Sequence, residues 1–194
     1  MRILFTVLCL MSLDVFAYGD IITTPNSSRQ TFSIQFADVT PVATATDIIT
    51  ITGQTGKVIR INKLEVSGDA TGVSVVDFYF YKRFAANTGG IVFVATATSA
   101  STCIATESTY ASIKLYSANP SALGYGQLIK ANHYALLAAI STGYPGAPWV
   151  EEFGTRNDQK LVLRGPAESL SFNLNGATLP AGLNVYVAIT CTEE

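Results

Sequence analysis

The sequence predicts an all-β fold, a jelly-roll-like antiparallel β-sandwich with an extended N-terminal arm. Three observations carry that expectation. Between positions 48 and 191 the chain holds about nine short apolar, β-branched or aromatic runs, the spacing of strands in a sandwich. Gly, Asn, Asp and Pro punctuate those runs where turns are needed. Only 13% of the residues are charged while 48% are hydrophobic. A chain of 194 residues can bury one core without metals or several disulfides. It cannot hide that much apolar surface by itself, so part of it is expected at a subunit interface.

The first segment, 1–17, is signal-like. Arg2 begins it, an apolar stretch over 3–13 follows, too short to cross a bilayer, and Val15-Phe16-Ala17 offers a cleavage point before Tyr18. Two other readings stand beside export: a retained apolar arm, or translation from Met11. Residues 18–46 form an arm or linker with the first strand, in which Phe32, Ile34 and Phe36 alternate with Ser33 and Gln35. The sandwich domain takes 47–194.

Within that domain, 48–51 and 58–66 are expected as a hairpin across Gly53-Gln54-Thr55-Gly56. In its second strand the apolar phase changes from Ile59 and Ile61 to Leu64 and Val66, which predicts a β-bulge at Asn62-Lys63. Residues 73–82 carry aromatics at four consecutive positions, Phe78 to Tyr81, as a central strand covered on both sides would. Asn87-Thr88-Gly89-Gly90 turns the chain into 91–97. The stretch 98–110 is a Ser/Thr-rich loop, and 113–116 is a short strand closed by Asn119-Pro120. Residues 127–141 fit helix and strand spacing almost equally; strand is preferred. Residues 160–164 end at Gly165-Pro166. Leu170, Phe172 and Leu174 alternate with serines and Asn173, and Asn175-Gly176 to Gly182 turns into a last alternating strand through Val185, Val187, Ile189 and Cys191.

Catalytic equipment is sparse. His133 is the one histidine, and no Gly-x-Ser-x-Gly elbow is present. One imidazole and separated thiols do not make a zinc site, and Gly124-Tyr125-Gly126 is only a fragment of a phosphate loop. Glu151 and Glu152 are adjacent and on a strand would point apart. Asp77, between Val76 and Phe78, is the carboxylate that burial would perturb; a satisfied polar position or an edge-facing side chain is the plainer reading. No cofactor and no metal is expected. Lys82-Arg83 is the closest basic group and reads as a solvated rim, so nucleic acid is not an expected partner. After loss of 1–17, Cys103 and Cys191 remain as a possible disulfide, although the alternation around Cys191 suits a buried thiol. Trp149, Tyr144 and Tyr125, with Tyr116, are candidates for stacking on a glycan; alternatively Trp149 plugs the end of the core.

Several turn and strand signatures resemble a known group. They are the stretch from Ile51-Thr52-Gly53 to Val66-Ser67-Gly68, and Tyr81-Lys82-Arg83 with Ala86-Asn87-Thr88-Gly89-Gly90. Further along come Tyr116-Ser117-Ala118-Asn119-Pro120, Phe153-Gly154-Thr155-Arg156, Leu163-Arg164-Gly165, Leu174-Asn175-Gly176-Ala177 and Thr192-Glu193-Glu194. Across 51–194 the chain resembles small β-rich virion structural proteins of tailed bacteriophages, of the capsid decoration, cement or head-fibre type. The resemblance implies a homo-oligomer, most often a trimer, whose partner is a major capsid or other virion protein. It implies no catalytic residues and, in the mature form, no membrane. The signal-like start departs from that pattern, because phage heads assemble in the cytoplasm. The expectation is therefore a non-enzymatic virion protein. The alternative is a secreted or periplasmic carbohydrate-binding or adhesin module, which 1–17 and Trp149 favour.

Overall fold

The computed structural model describes residues 30–95, 98–99, 111–138, 147–154 and 160–194. The signal-like segment 1–17, Cys103 and Tyr144 lie outside these. Among the described residues there is no helix. The strands are β1 (Gln30–Val39), β2 (Asp47–Thr52), β3 (Val58–Ala70), β4 (Ser74–Arg83), β5 (Ile91–Ala95), β6 (Thr98–Ser99), β7 (Ser112–Ala118), β8 (Gly126–Ala138), β9 (Trp149–Glu152), β10 (Leu161–Arg164), β11 (Ser169–Asn173) and β12 (Asn184–Glu193). The region 127–141, where helix and strand competed, is strand as far as it is described.

The strands join into one curled sheet, a half-barrel, in the order β5-β7-β2-β11-β4-β8-β3-β12-β1-β6. It is mixed rather than purely antiparallel: Asp69 and Ala70 of β3 run parallel to Leu137 and Ala138 of β8. That short parallel contact is where the curl turns. On one side of it β1, β12 and β3 present Phe32, Ile34, Ile59, Ile61, Val187 and Ile189 to the interior. On the other, β2, β4 and β11 present Ile49, Ile51, Phe78, Phe80, Leu170 and Phe172. Phe172 lies 5.2 Å from both Phe78 and Phe80, centroid to centroid, so the aromatics form one packed cluster. Burying each such side chain contributes about 1.5–3 kcal/mol.

The spine is β3. One of its edges pairs with β12 along almost its whole length. Its other edge is shared end to end by β10 (Val58 to Ile61), β9 (Lys63 to Val66) and β8 (Asp69 to Ala70). The predicted bulge falls at Asn62. Thr190 faces Lys63 and Cys191 faces Ile61, leaving Asn62 as the extra residue. The bulge lets Ile59 and Ile61 before it, and Leu64 and Val66 after it, all face the core. It also marks the break between β10 and β9, and the Asn62 carbonyl accepts the Phe153 N–H there at 2.8 Å.

Two expected hairpins do not form. β2 pairs with β7 and β11, whereas β3 pairs with strands on the other side of the curl. The Gly53–Gly56 turn exists, with Gly56 at φ +73°, but carries the chain across rather than back. The turn after β11 likewise crosses to β12 in the other half. It is pinned by Leu174 N–H to Thr46 O (3.0 Å) and Gly176 N–H to Ala45 O (2.9 Å). Turn residues specify a reversal; which strand lies alongside is decided by long-range burial.

β4 and β11 also differ from expectation. Phe78 and Phe80 are buried, but Tyr79 and Tyr81 face outward and are only half-buried, so β4 is deeply covered on one side alone. All of β11 is buried, Ser169, Ser171 and Asn173 included. It sits between β2 and β4, and a polar network closes over its outer side.

Candidate functional site

That network centres on Asp47, at the start of β2 and fully buried. Arg83, at the end of β4, donates from Nε to Asp47 Oδ2 (3.1 Å) and from Nη2 to Oδ1 (2.7 Å). Asn87 Nδ2 donates to Oδ2 at 2.8 Å, and Asn173 Nδ2 to Oδ1 at 2.5 Å. Arg83 Nη1 reaches the Gly124 carbonyl (3.0 Å), and Gly124 N–H donates to Asn87 Oδ1 (2.9 Å). Both carboxylate oxygens are thus satisfied, and three strands and two loops meet at one ion pair. Lys82 is no rim residue either: its Nζ donates to Val162 O (2.8 Å) and pairs with Glu168 (2.9 Å). The sequence reading of Lys82-Arg83 as solvated is corrected on both counts. An arginine at the end of a strand gives no local sign that its partner lies 36 positions upstream.

For Asp77 the structure shows the plainer reading, a satisfied polar position. It is not buried in β4, because Val76 and Phe78 take the inward positions and leave it on the outer side. There it meets His133 of β8, Nδ1 to Oδ1 at 2.5 Å, with both side chains substantially exposed. The Tyr79 hydroxyl donates to Asp77 Oδ2 at 3.4 Å. Burial, the Asp77 charge and that hydrogen bond push the Tyr79 phenol above its ordinary pKa.

Around this pair lies the exposed face of β4 and β8. Val75 stands opposite Ala135, Asp77 opposite His133, Tyr79 opposite Ala131 and Tyr81 opposite Leu128. Val75, Leu137 and Leu128 are exposed, and Val73, just before β4, is 80% exposed. From 126 to 136, β8 pairs only with β4 among the described residues. At the far end of the sheet β5 pairs only with β7 among the described residues. It exposes Ile91 (66%) and Phe93 (65%), with no charge and no proline on the strand. Open apolar edges are what soluble sheets ordinarily block.

The other sequence candidates sit apart. Trp149 belongs to β9 and is part-buried, its ring 5.4 Å from Phe80 and its Nε1 donating to Glu151 Oε1 at 3.1 Å. Tyr125 is 70% exposed and rests against Phe84 at 5.9 Å. Tyr116 is buried. Cys191 is a free, fully buried thiol, pushed up to about 12 by burial and then by the Glu193 charge. Glu151 pairs with Lys130 at 3.1 Å.

No protein-family model, no curated protein and no solved structure matches this chain.

Proposed function

We propose that this chain is a non-enzymatic structural subunit of a tailed-phage virion, a capsid decoration or cement protein acting through homo-oligomerisation and contacts with a shell lattice. The finer fold reading, a jelly-roll-like sandwich preceded by an extended arm, belongs to the same proposal. One observation supports it best: among the described residues, most of the exposed large apolar side chains lie on the β4–β8 face and the β5 edge. A second copy of this chain offers the matching apolar surface, and a closed trimer would cover it. Repeated weak lattice contacts then add through multivalency.

Two measurements test this reading. Light scattering on the purified chain is expected to give a trimer, and Val75→Glu with Leu137→Glu a folded monomer. A monomeric parent chain would sink the association model. Peptide mass spectrometry on particles from the source is expected to recover the chain in stoichiometric amount; its absence from particles would sink the virion role. A secreted or periplasmic carbohydrate-binding module is the second reading, favoured by exposed Tyr125; it predicts a processed chain beginning at Tyr18.

A further inference from the structure

The outer side of β7, β2 and β11 carries two cross-strand rows of polar residues. Lys114 stands opposite Thr50, which stands opposite Ser171; Ser112 stands opposite Thr52, which stands opposite Ser169. Directly opposed residues share one face of an antiparallel sheet. The intervening residues Ile49, Ile51, Ile113, Leu170 and Phe172 point into the core. The two rows therefore form one polar floor, and above it opens a cavity of about 260 Å³. Thr50, Thr52, Ser112, Ser169, Lys114 and Tyr116 line it.

The chemistry of this lining selects its occupant. Each hydroxyl both donates and accepts, and the Lys114 ammonium supplies three donors. Among the described residues no carboxylate forms a salt bridge with Lys114. Asp47, the buried carboxylate on the neighbouring network, is spent on Arg83, Asn87 and Asn173. Asn87, which borders the cavity, is held at both ends by Asp47 and Gly124, so that wall is preorganised. Ser171, at the inner end of the Lys114–Thr50 row, is fully buried and does not line the cavity. A bare oxyanion would answer Lys114 and the hydroxyl donors but leave the hydroxyls' acceptor lone pairs unanswered. A neutral sugar would leave the cation unanswered. The volume lies just below the usual range for small-molecule sites, which begins at about 300 Å³, and suits one sugar ring rather than an oligomer.

We propose that this pocket binds an acidic monosaccharide unit, a pyranose carrying a carboxylate. Lys114 takes the carboxylate, and Thr50, Thr52, Ser112 and Ser169 exchange hydrogen bonds with the ring hydroxyls. The site does not rest on the virion reading and stands or falls separately from it.

The test is a titration of the full chain with glucuronate, glucose and inorganic sulfate at constant ionic strength, read by amide NMR shifts and calorimetry. Glucuronate is expected to bind saturably, with glucose and sulfate each at least about tenfold weaker, the size of one lost charge-assisted contact. Lys114→Met is expected to weaken glucuronate by about tenfold or more, and Thr50→Val by less, since it removes a neutral partner. Lys114→Gln, checked by an unchanged circular dichroism spectrum, guards against a folding defect. Equal binding of glucose, or indifference to both Lys114 substitutions, would overturn the charge selection. Sulfate binding as tightly as glucuronate would reduce the pocket to an oxyanion site. Unmoved pocket amides with all three probes at on the order of 50 mM would overturn the site altogether.

Discussion

Arg83 holds the carboxylate of Asp47 in a two-point grip, 3.1 Å and 2.7 Å, with the carboxylate wholly out of solvent and the arginine nearly so. A buried pair of this kind gains its attraction only after desolvation, so its importance shows when one partner is lost. Asp47→Asn or Arg83→Met is expected to destabilise the protein by about 3–5 kcal/mol in urea unfolding. The double variant Asp47→Asn with Arg83→Met should cost clearly less than the sum, because no charge is then stranded. Additive losses would mean that the two side chains act independently.

Gly124 belongs to the same assembly through its backbone. A Cβ at this position would run into the carbonyl of Ala85. Gly124→Ala is therefore expected to push two backbone segments apart and cost about 1–3 kcal/mol. Protection of the Gly124 amide, which donates to Asn87, should fall more than that of β12 amides in hydrogen exchange.

Phe80 packs against Phe172 at 5.2 Å and Trp149 at 5.4 Å. Truncation by Phe80→Ala should cost about 3–5 kcal/mol and leave a void beside the indole. Emission from Trp149, the one tryptophan in the chain, should move to the red. An unshifted spectrum would place the indole outside the core packing.

At high pH two groups work against the fold. The Tyr186 phenol is raised to about 12, first by donating to Asp38 at 2.7 Å and then by burial and the Asp69 charge. The Cys191 thiol is raised to about 12, first by burial. Both hold their protons more tightly in the native state than at the ordinary values of 10.0 and 9.0 expected of the unfolded chain. Above about pH 9 the unfolded chain therefore binds fewer protons, and stability falls as pH rises toward about 12. Thermal melts between about pH 8 and pH 11 should show this decline, and it should be shallower in Cys191→Ala and in Tyr186→Phe.

At low pH the staple between Glu168 and Lys82 gives way. Burial pushes the Glu168 carboxyl up, but the hydrogen bond from Lys82, the Arg164 N–H and the nearby positive charges together hold it below its ordinary value. A depressed carboxylate stabilises the fold above its unfolded pKa and loses that contribution as pH falls through the folded one. Lys82→Met should therefore flatten the acid limb of the stability profile, and an unchanged limb would assign the acid loss to other carboxylates.

The strands were legible because their signal is local. Phe32, Ile34 and Phe36, or Val185 through Cys191, need only period-two alternation to declare a face. Even the Asn62 bulge could be read, since the step from Ile61 to Leu64 is a change of phase within one strand. Asp77 left two readings open because its apolar neighbours Val76 and Phe78 describe the strand, and only the structure puts the side chain between them on the outer side. Of the candidate pocket, only Tyr116 was singled out in the sequence as a binding residue, and there for stacking. Thr50, Thr52, Ser112, Lys114 and Ser169 come from three strands and are unremarkable in each.

By itself, then, the sequence determined the strand content, the inward residues of most strands, the turn positions and the bulge. All of these rest on interactions within a few residues. Only the tertiary structure decided that β2 and β3 part company, that β3 and β8 meet in parallel, and that Arg83 finds Asp47. It also decided which hydroxyls share a floor. These depend on which of several apolar strands lies alongside another once the sheet curls, and no short stretch of chain encodes that choice.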